Sequence, residues 1–317
     1  MRFFEHANYK FLELRRKAYV LSGTAISLGI VAMVMNIFTL PGHRWQNYGV
    51  DFTGGSLVEV QFNKDISAGD LRSALGGGDA ITQFGAANDF VIRAPLADQT
   101  IDQVAADIQQ KLTTGFGADA FKVVRTELVS AKVGSELTRK AGLAILFSFF
   151  ITLIYLAIRF ETRFGAAAVI ATAHDILITL GFLAALRMEI SLTTVAAVLT
   201  IVGYSLNDTI IVFDRIRENM HKKGARKRDT MELIDESINE TLPRTILTSG
   251  TTVAVLVALL LLGGAVIRDF TVVLIMGIVV GTYSSIFVAS PALIEIQKRW
   301  GEGKLKEKKP KPEPATV

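Results

Sequence analysis

Cysteine is absent from the 317-residue chain. That removes a disulfide framework, a CxxC redox pair and a thiolate metal site together, and it leaves the compartment unreadable from thiol chemistry. No HExxH helix, nucleophile elbow or Walker motif occurs either. Two glycine-rich stretches, "YGVDFTGGS" (Tyr48 to Ser56) and "LGGGDA" (Leu75 to Ala80), fail as phosphate loops, because neither sets a Lys at the start of a helix. No internal repeat appears at the scale of half the chain. The expectation is a protein that is not an enzyme, takes no cofactor and no metal, and is not driven by ATP bound to it.

Apolar sequence is what the chain has in abundance. Half of its residues are apolar, its mean hydropathy is +0.39 and Gly stands at 26 positions, the profile of a helical membrane protein. The apolar residues come in six blocks, each near the roughly 20 residues that cross a ~30 Å hydrocarbon core: about 19–40, 141–158, 166–186, 192–213, 246–267 and 270–294. Lys and Arg set the orientation. Five lie in the N-terminal segment, eight between Arg215 and Arg244 and seven from Lys298 onward, against one (Arg187) at 187–191 and one (Arg268) at 265–269. Both termini are therefore expected in the cytoplasm, with residues 41–138 outside. The sequence pI of 9.2 then reflects topology and contact with anionic lipid of the bilayer, and implies no nucleic acid partner. A secretory signal peptide competes for the first block. Its apolar core is long and "FTLPGH" is no small-residue cleavage site, so it reads as an uncleaved anchor.

The resulting layout is a cytoplasmic segment 1–18, a first transmembrane helix 19–40, an outward domain 41–138, and five further spans over 139–295. A charged, Pro-rich tail 296–317 follows and reads as disordered. An amphipathic cytoplasmic helix is expected at about 229–243, lying flat, with Asp229 and Glu232 at capping-box spacing and Met231, Ile234, Ile238 and Leu242 as its apolar stripe. In the outward domain "SLVEVQF" alternates with period two, and "SAGDLRSAL" offers a helix capped by Ser67. "AITQFG" and "DFVIRA" flank a turn at Gly85 to Asn88, "TIDQVAADIQQKL" is a longer helix, and "FKVVRTELV" a last strand. The order is βαββαβ, so the fold class is a membrane α-helical bundle carrying an α+β, ferredoxin-like domain. At its root, Gly54 and Gly55 supply a turn with positive φ, and Asp51 is expected to cap it by accepting from the N–H of Thr53 or Gly54.

The fourth block carries a polar set. Thr193, Thr200, Tyr204 and Asp208 share one helical face, flanked by Asn207 and Ile211, and such a face is expected to turn toward the bundle interior or a hydrated cavity. Arg244, which opens the fifth span in "LPRTILTSGTT", is the natural counter-ion for Asp208. In the third span His174 and Asp175 are adjacent, so they are expected to point to different faces and glue helices. Asp214 reads as an ion-paired residue at the cytoplasmic boundary. Gly277, Gly281 and Ser285 repeat every four positions along the sixth span, a pattern of close helix packing.

"VDFTGGS", "AHD", "GYSLNDTIIVFDRIREN" and "LPRTILTSGTT" together resemble the SecD/SecF family of the bacterial Sec protein-export machinery, on its SecF side, within the resistance-nodulation-division superfamily. The resemblance runs from about residue 15 to 295. It implies the bacterial inner membrane, a SecD-like partner supplying six more spans, and association with the SecYEG channel and YajC. It also implies proton flow that assists translocation and release of exported preproteins, with Asp208 and Arg244 as the proton-pathway residues. Two alternatives stay open: a small-molecule or lipid exporter of the same superfamily, which an outward segment with few aromatics serves poorly, and a scaffold subunit through which no proton moves.

Overall fold

Among the described residues of the computed structural model, six helices are long and apolar enough to cross a membrane. The structure describes residues 7–40, 43–76, 80–83, 88–95, 101–129, 131–222, 228–263 and 267–300. The first six residues, 77–79 of the LGGGDA stretch, residues 84–87 on which most of the expected Gly85 to Asn88 turn falls, the basic stretch 223–227 and the tail beyond 300 lie outside the described residues.

The first span is α1 (Arg15–Thr39), entered through a 3-10 turn at Phe11–Leu14. After it come β1 (Asn47–Tyr48), the single turn α2 (Val50–Thr53), β2 (Gly55–Phe62), α3 (Ala68–Leu75), β3 (Ala80–Gln83), β4 (Asp89–Pro95), α4 (Ile101–Phe116) and β5 (Phe121–Val129). The bundle resumes with α5 (Ala131–Arg159) and α6 (Thr162–Ala185), then β6 (Glu189–Ile190), α7 (Leu192–Met220) and α8 (Thr230–Leu262). The last rod is α9 (Arg268–Ser284), a π-helical turn (Ser285–Ala289) and α10 (Ser290–Trp300).

The α+β domain is built on a four-stranded antiparallel sheet in the order β3-β4-β2-β5, with β2 central. The period-two pattern of β2 buries Val58, Val60 and Phe62 with Phe90 and Ile92 of β4. Leu71 and Leu75 of α3 and Val104, Ile108 and Leu112 of α4 close over them, so each helix buries one stripe at 3.6-residue spacing. Ser67 caps α3 by accepting from the Asp70 N–H at 3.0 Å, as expected.

Where the domain joins the bundle, the local structure differs from the capped turn expected. Thr53 and Gly54 donate to the carbonyls of Gly49 and Val50, making one helical turn, so no free N–H is left for Asp51. Its Oδ2 instead accepts from the Leu192 N–H at 2.9 Å, capping α7 from a distance of 141 residues in sequence. Beside it β1 and β6 pair in parallel, Asn47 with Glu189 and Tyr48 with Ile190. Of the glycine pair only Gly54 has positive φ, at 76° with ψ 156°; Gly55 is needed for space, since a Cβ there would sit 2.6 Å from the Ala94 carbonyl oxygen.

In the bundle α6, α7 and the last rod are the inner elements, and α1, α5 and α8 present long apolar faces outward. Gly29 of α1 and Gly181 of α6 meet backbone to backbone. Gly277 and Gly281 pack on Ile201 and Ser205 of α7, as their spacing implied. The helix expected to lie flat at 229–243 is instead the first half of α8, continuous through Pro243, and Asp229 makes no side-chain cap bond. Its stripe (Ile234, Ile238, Leu242) joins a core with Leu12, Phe213 and Ile216. Its polar side holds the N-terminal segment: Asn239 Oδ1 accepts from the Tyr9 N–H at 2.9 Å and Asp235 Oδ1 from the Leu12 N–H at 3.0 Å. Burial against protein, which offers these polar partners, replaces the lipid surface.

Candidate functional site

The 3.6-residue period of α7 sorts its polar residues onto two lines. Ile201, Ser205, Asp208 and Val212 point inward and are buried, whereas Thr200 and Asn207 face outward and are exposed. The expected single polar face therefore divides. Thr200 Oγ1 donates to its own helix at the Ala196 carbonyl, Tyr204 is half-buried with its hydroxyl 3.4 Å from Thr252 Oγ1, and Thr193 is exposed at the start of α7.

Asp208 is 4% exposed. Its Oδ1 accepts from Thr245 Oγ1 of α8 at 2.7 Å and its Oδ2 from Ser285 Oγ of the last rod at 2.6 Å. Among the described residues no ion pair within 4.0 Å joins it to Arg244, so the direct contact expected is made by the two hydroxyls, while the Arg244 charge acts on the carboxylate from beyond ion-pair range. The reason is rotational: Thr245 faces α7, so its neighbour Arg244, about 100° further round the helix, is carried to the exposed side. Asp214, by contrast, is ion-paired at the end of the span, Arg159 Nη2 lying 2.5 Å from its Oδ2, and belongs to the bundle's rim rather than to the buried polar set.

His174 and Asp175 do not diverge as their adjacency suggested. His174 Nδ1 lies 2.8 Å from Asp175 Oδ1, and the two are 6% and 1% exposed. Asp175 Oδ2 accepts from Ser205 Oγ of α7 and from Ser284 Oγ of α9 at 2.7 Å. His174 Nε2 reaches Ser22 Oγ of α1 at 2.9 Å. The short Asp side chain enters the core while the longer imidazole turns back over it toward α1.

The residues missed from sequence are the hydroxyls, namely Thr245, Ser205, Ser284 and Ser285. Ser285 had been assigned to packing alone. It stands at the start of a π-helical turn, and the two neighbouring serines address different carboxylates, Ser284 on Asp175 and Ser285 on Asp208. The available signal was "YSS" inside an otherwise apolar span, since buried hydroxyls in lipid need a stated partner.

Glu189 was missed as well. It is packed at the root of the domain, where a Cβ on Gly49 would lie 2.1 Å from its Oε1. Burial holds its carboxyl above the usual carboxylate range; Arg93 of the domain opposes this, and Asp51 and Asp269 add to it.

Two buried carboxylates are thus held by neutral donors and one imidazole, within helices whose outer faces are apolar. A carboxylate in that setting changes charge by taking or giving a proton.

Comparison with known proteins places this geometry. Residues 108–299 match the family model described as protein export membrane protein SecD/SecF, C-terminal, and residues 47–66 match the SecD/SecF GG motif. The chain is 46% identical over 310 residues to the protein translocase subunit SecF of Gemmatimonas aurantiaca, covering 95% of this chain and 90% of that protein. It is 47% identical over 280 residues to SecF of Vibrio alginolyticus, covering 87% and 88%. Among solved structures, SecDF of Thermus thermophilus, a translocon-associated membrane protein, superposes with a TM-score of 0.75 at 36% identity. That match covers 94% of this chain and 40% of the SecDF chain.

Proposed function

The chain belongs to the SecD/SecF family of protein-export membrane proteins, as a SecF-type translocase subunit, and we propose that it draws on the proton-motive force through Asp208 to assist movement and release of exported preproteins. The observation that carries this reading is the setting of Asp208, a carboxylate 4% exposed in the bundle, held by two hydroxyls with no cation in ion-pair reach among the described residues. Charging such a group costs about 2.5–3.5 kcal/mol even on lenient insertion scales. A proton falling through the membrane potential delivers about 2.3 kcal/mol per 100 mV, a matching scale.

In this reading Asp208 releases the Thr245 and Ser285 hydroxyls when it is protonated, because a neutral carboxyl is a weaker acceptor than a carboxylate. α8 and the last rod then loosen against α7. The exposed line of Thr200, Asn207 and Arg244 fits a SecD-like partner, because polar groups on a lipid-facing surface are costly and a second bundle would satisfy them. That the chain spans 40% of the matched SecDF agrees with such a pairing. Arg244 then joins the proton path across this interface. Further partners in the reading are SecYEG and YajC, and the Lys/Arg asymmetry sets both termini in the cytoplasm of the inner membrane, with the α+β domain outside. That domain is read as ferredoxin-like, supported by its βαββαβ order and by the central placing of its first and third strands in the sheet.

The test is translocation into sealed membrane vesicles with and without a proton gradient. Asp208→Asn keeps the shape and can keep both hydroxyl neighbours, one accepting from the new amide NH2 instead of donating, but it carries no exchangeable charge, so it should assemble with its SecD-like partner and lose the gradient-dependent part of transport. Retained gradient stimulation in that variant would make Asp208 structural and the scaffold reading correct.

A further inference from the structure

Beyond Asp208, the structure holds a second buried polar centre. It joins four elements: His174 and Asp175 on α6, Ser22 on α1, Ser205 on α7, and Tyr283 with Ser284 on α9. Counting hydrogens along it is informative. Four contacts run in series: Asp175 Oδ1 to His174 Nδ1 at 2.8 Å, His174 Nε2 to Ser22 Oγ at 2.9 Å, Ser22 Oγ to the Tyr283 hydroxyl at 3.2 Å, and that hydroxyl to the Ala18 carbonyl at 3.0 Å. Each contact needs one hydrogen. A neutral imidazole supplies one, Ser22 one and Tyr283 one, so the chain is a hydrogen short. One added proton completes it in a single direction: Nδ1–H to the carboxylate, Nε2–H to Ser22, Ser22 to Tyr283 and Tyr283 to the Ala18 carbonyl. The extra hydrogen lies between Asp175 Oδ1 and His174 Nδ1, and the two serine hydroxyls donated to Oδ2 favour the ionised carboxylate, which places it on the imidazole.

From this geometry we infer that His174 and Asp175 form a second proton-carrying site, an imidazolium–carboxylate pair that exchanges one proton and works in series with Asp208. The inference rests on the proton-coupled reading given above. A net-neutral pair is the form of these groups that an apolar bundle tolerates best. Connection to Asp208 runs through one peptide unit, since Ser284 donates to Asp175 and Ser285 to Asp208 at the π-helical turn. Connection to the other side is a cavity of about 610 Å³ between α1, α6 and the last rod, bordered by Tyr19, Ser22, His174, Ala292, Glu295 and Arg299. The titratable and charged groups facing the pair or its cavity are thus Tyr19 from α1, Tyr283 from α9, and Glu295 and Arg299 from α10, while Asp208 of α7 is reached only through the Ser284–Ser285 step. The cavity borders the imidazole together with Tyr19 near the start of α1 and with Glu295 and Arg299 of α10. Loss of the proton reverses the Ser22 hydrogen, which must then be donated to Nε2, and the single hydrogen of the Tyr283 hydroxyl can then serve Ser22 or the Ala18 carbonyl but not both. That event takes place on α1, the span that precedes the α+β domain in the chain.

Solid-state NMR of the full chain with its SecD-like partner in lipid, using ring-15N histidine, reads the proposal directly. The chain has 4 His residues, and His174→Gln identifies the signal of interest by its loss. The expected result is His174 with both ring nitrogens protonated at neutral pH, converted to the neutral ring by Asp175→Asn and unchanged by Asp208→Asn. A neutral His174 ring at neutral pH in the unmodified complex overturns the inference. In vesicles His174→Gln should retain the partner on purification and lose gradient-stimulated translocation; full stimulation in that variant reduces the pair to a structural ion pair and also overturns it. Failure of the Asp208 reading looks different: Asp208→Asn would keep gradient stimulation while His174→Gln lost it.

Discussion

The contact between Gly29 of α1 and Gly181 of α6 gives the most direct test of how span one is coupled to the polar centre. A Cβ built on either glycine lies 2.7 Å from the Cα of the other, where carbon atoms normally rest about 3.5–4.0 Å apart. Gly→Ala at either position must therefore separate the two backbones by about 1 Å. Overpacking of this kind costs about 1–3 kcal/mol, partly offset by the gain of up to about 1 kcal/mol that Ala has over Gly within a helix. The net expectation is a loss of about 1–2 kcal/mol for Gly29→Ala or Gly181→Ala. The double variant should cost little more than either single one, since the first methyl already parts the helices. Gly23 on the same helix and Gly142 on α5 have nothing within 4 Å of a built Cβ. Gly23→Ala and Gly142→Ala should thus be neutral or slightly stabilising, a difference in sign between positions of identical chemistry. Because α1 also holds Ser22 at 2.9 Å from His174, about 1 Å of separation takes that hydrogen bond out of range, and gradient-stimulated translocation should fall with stability. Thermal unfolding in detergent and vesicle translocation are the two assays. Equal unfolding temperatures for Gly181→Ala and Gly142→Ala would refute the packing argument.

At the root of the α+β domain, Gly54→Ala should be damaging through its φ of 76° and Gly55→Ala through its contact with the Ala94 carbonyl, so alanine at either place should lower domain stability as read by limited proteolysis; resistance equal to the unmodified chain would contradict this. For Glu189 the raised carboxyl value means that the folded state binds the extra proton between the usual carboxylate range and that higher value, so the stability of the β1–β6 junction falls as pH rises through this window and is level above it. Glu189→Gln should remove the dependence: hydrogen exchange at the Gly49 and Leu192 amides, corrected for intrinsic rates, should stay at its low-pH protection in the variant and weaken with rising pH in the parent.

How much of this was legible in the sequence follows from the range of the forces involved. The six spans were legible because hydrocarbon thickness fixes their length, and the α+β domain because its strands and helices alternate with their own periods. Asp208 was found since a carboxylate in an apolar run demands an explanation wherever it points. Its partners were not, because choosing between Arg244 and Thr245 requires the rotation of α8, and two residues adjacent in sequence differ by about 100° around a helix. Charge favoured the arginine; packing selected the threonine. The Asp51 cap failed in a similar way. From sequence the nearest N–H groups were the natural donors, yet α2 uses them internally, and the carboxylate goes to Leu192, a partner that only the tertiary fold brings near.

The π-helical turn was hidden for a different reason. Nothing in "TYSSIFVAS" departs from α-helical composition. In a regular α-helix Ser284 and Ser285 already diverge by about 100°, which suits two acceptors on two different helices but leaves both serines bound to one rigid register. A π-helical turn starting at Ser285 lets the part of the rod beyond it shift by a fraction of a residue without breaking the part before it. Asp175 is held from the α9 side of that step and Asp208 from the step itself. In the proton-coupled reading proposed above, a change of charge at either carboxylate would act on the same short segment, because each is held by one of the two adjacent serines. This makes the serine pair, rather than either acid alone, the place where proton binding would become helix movement.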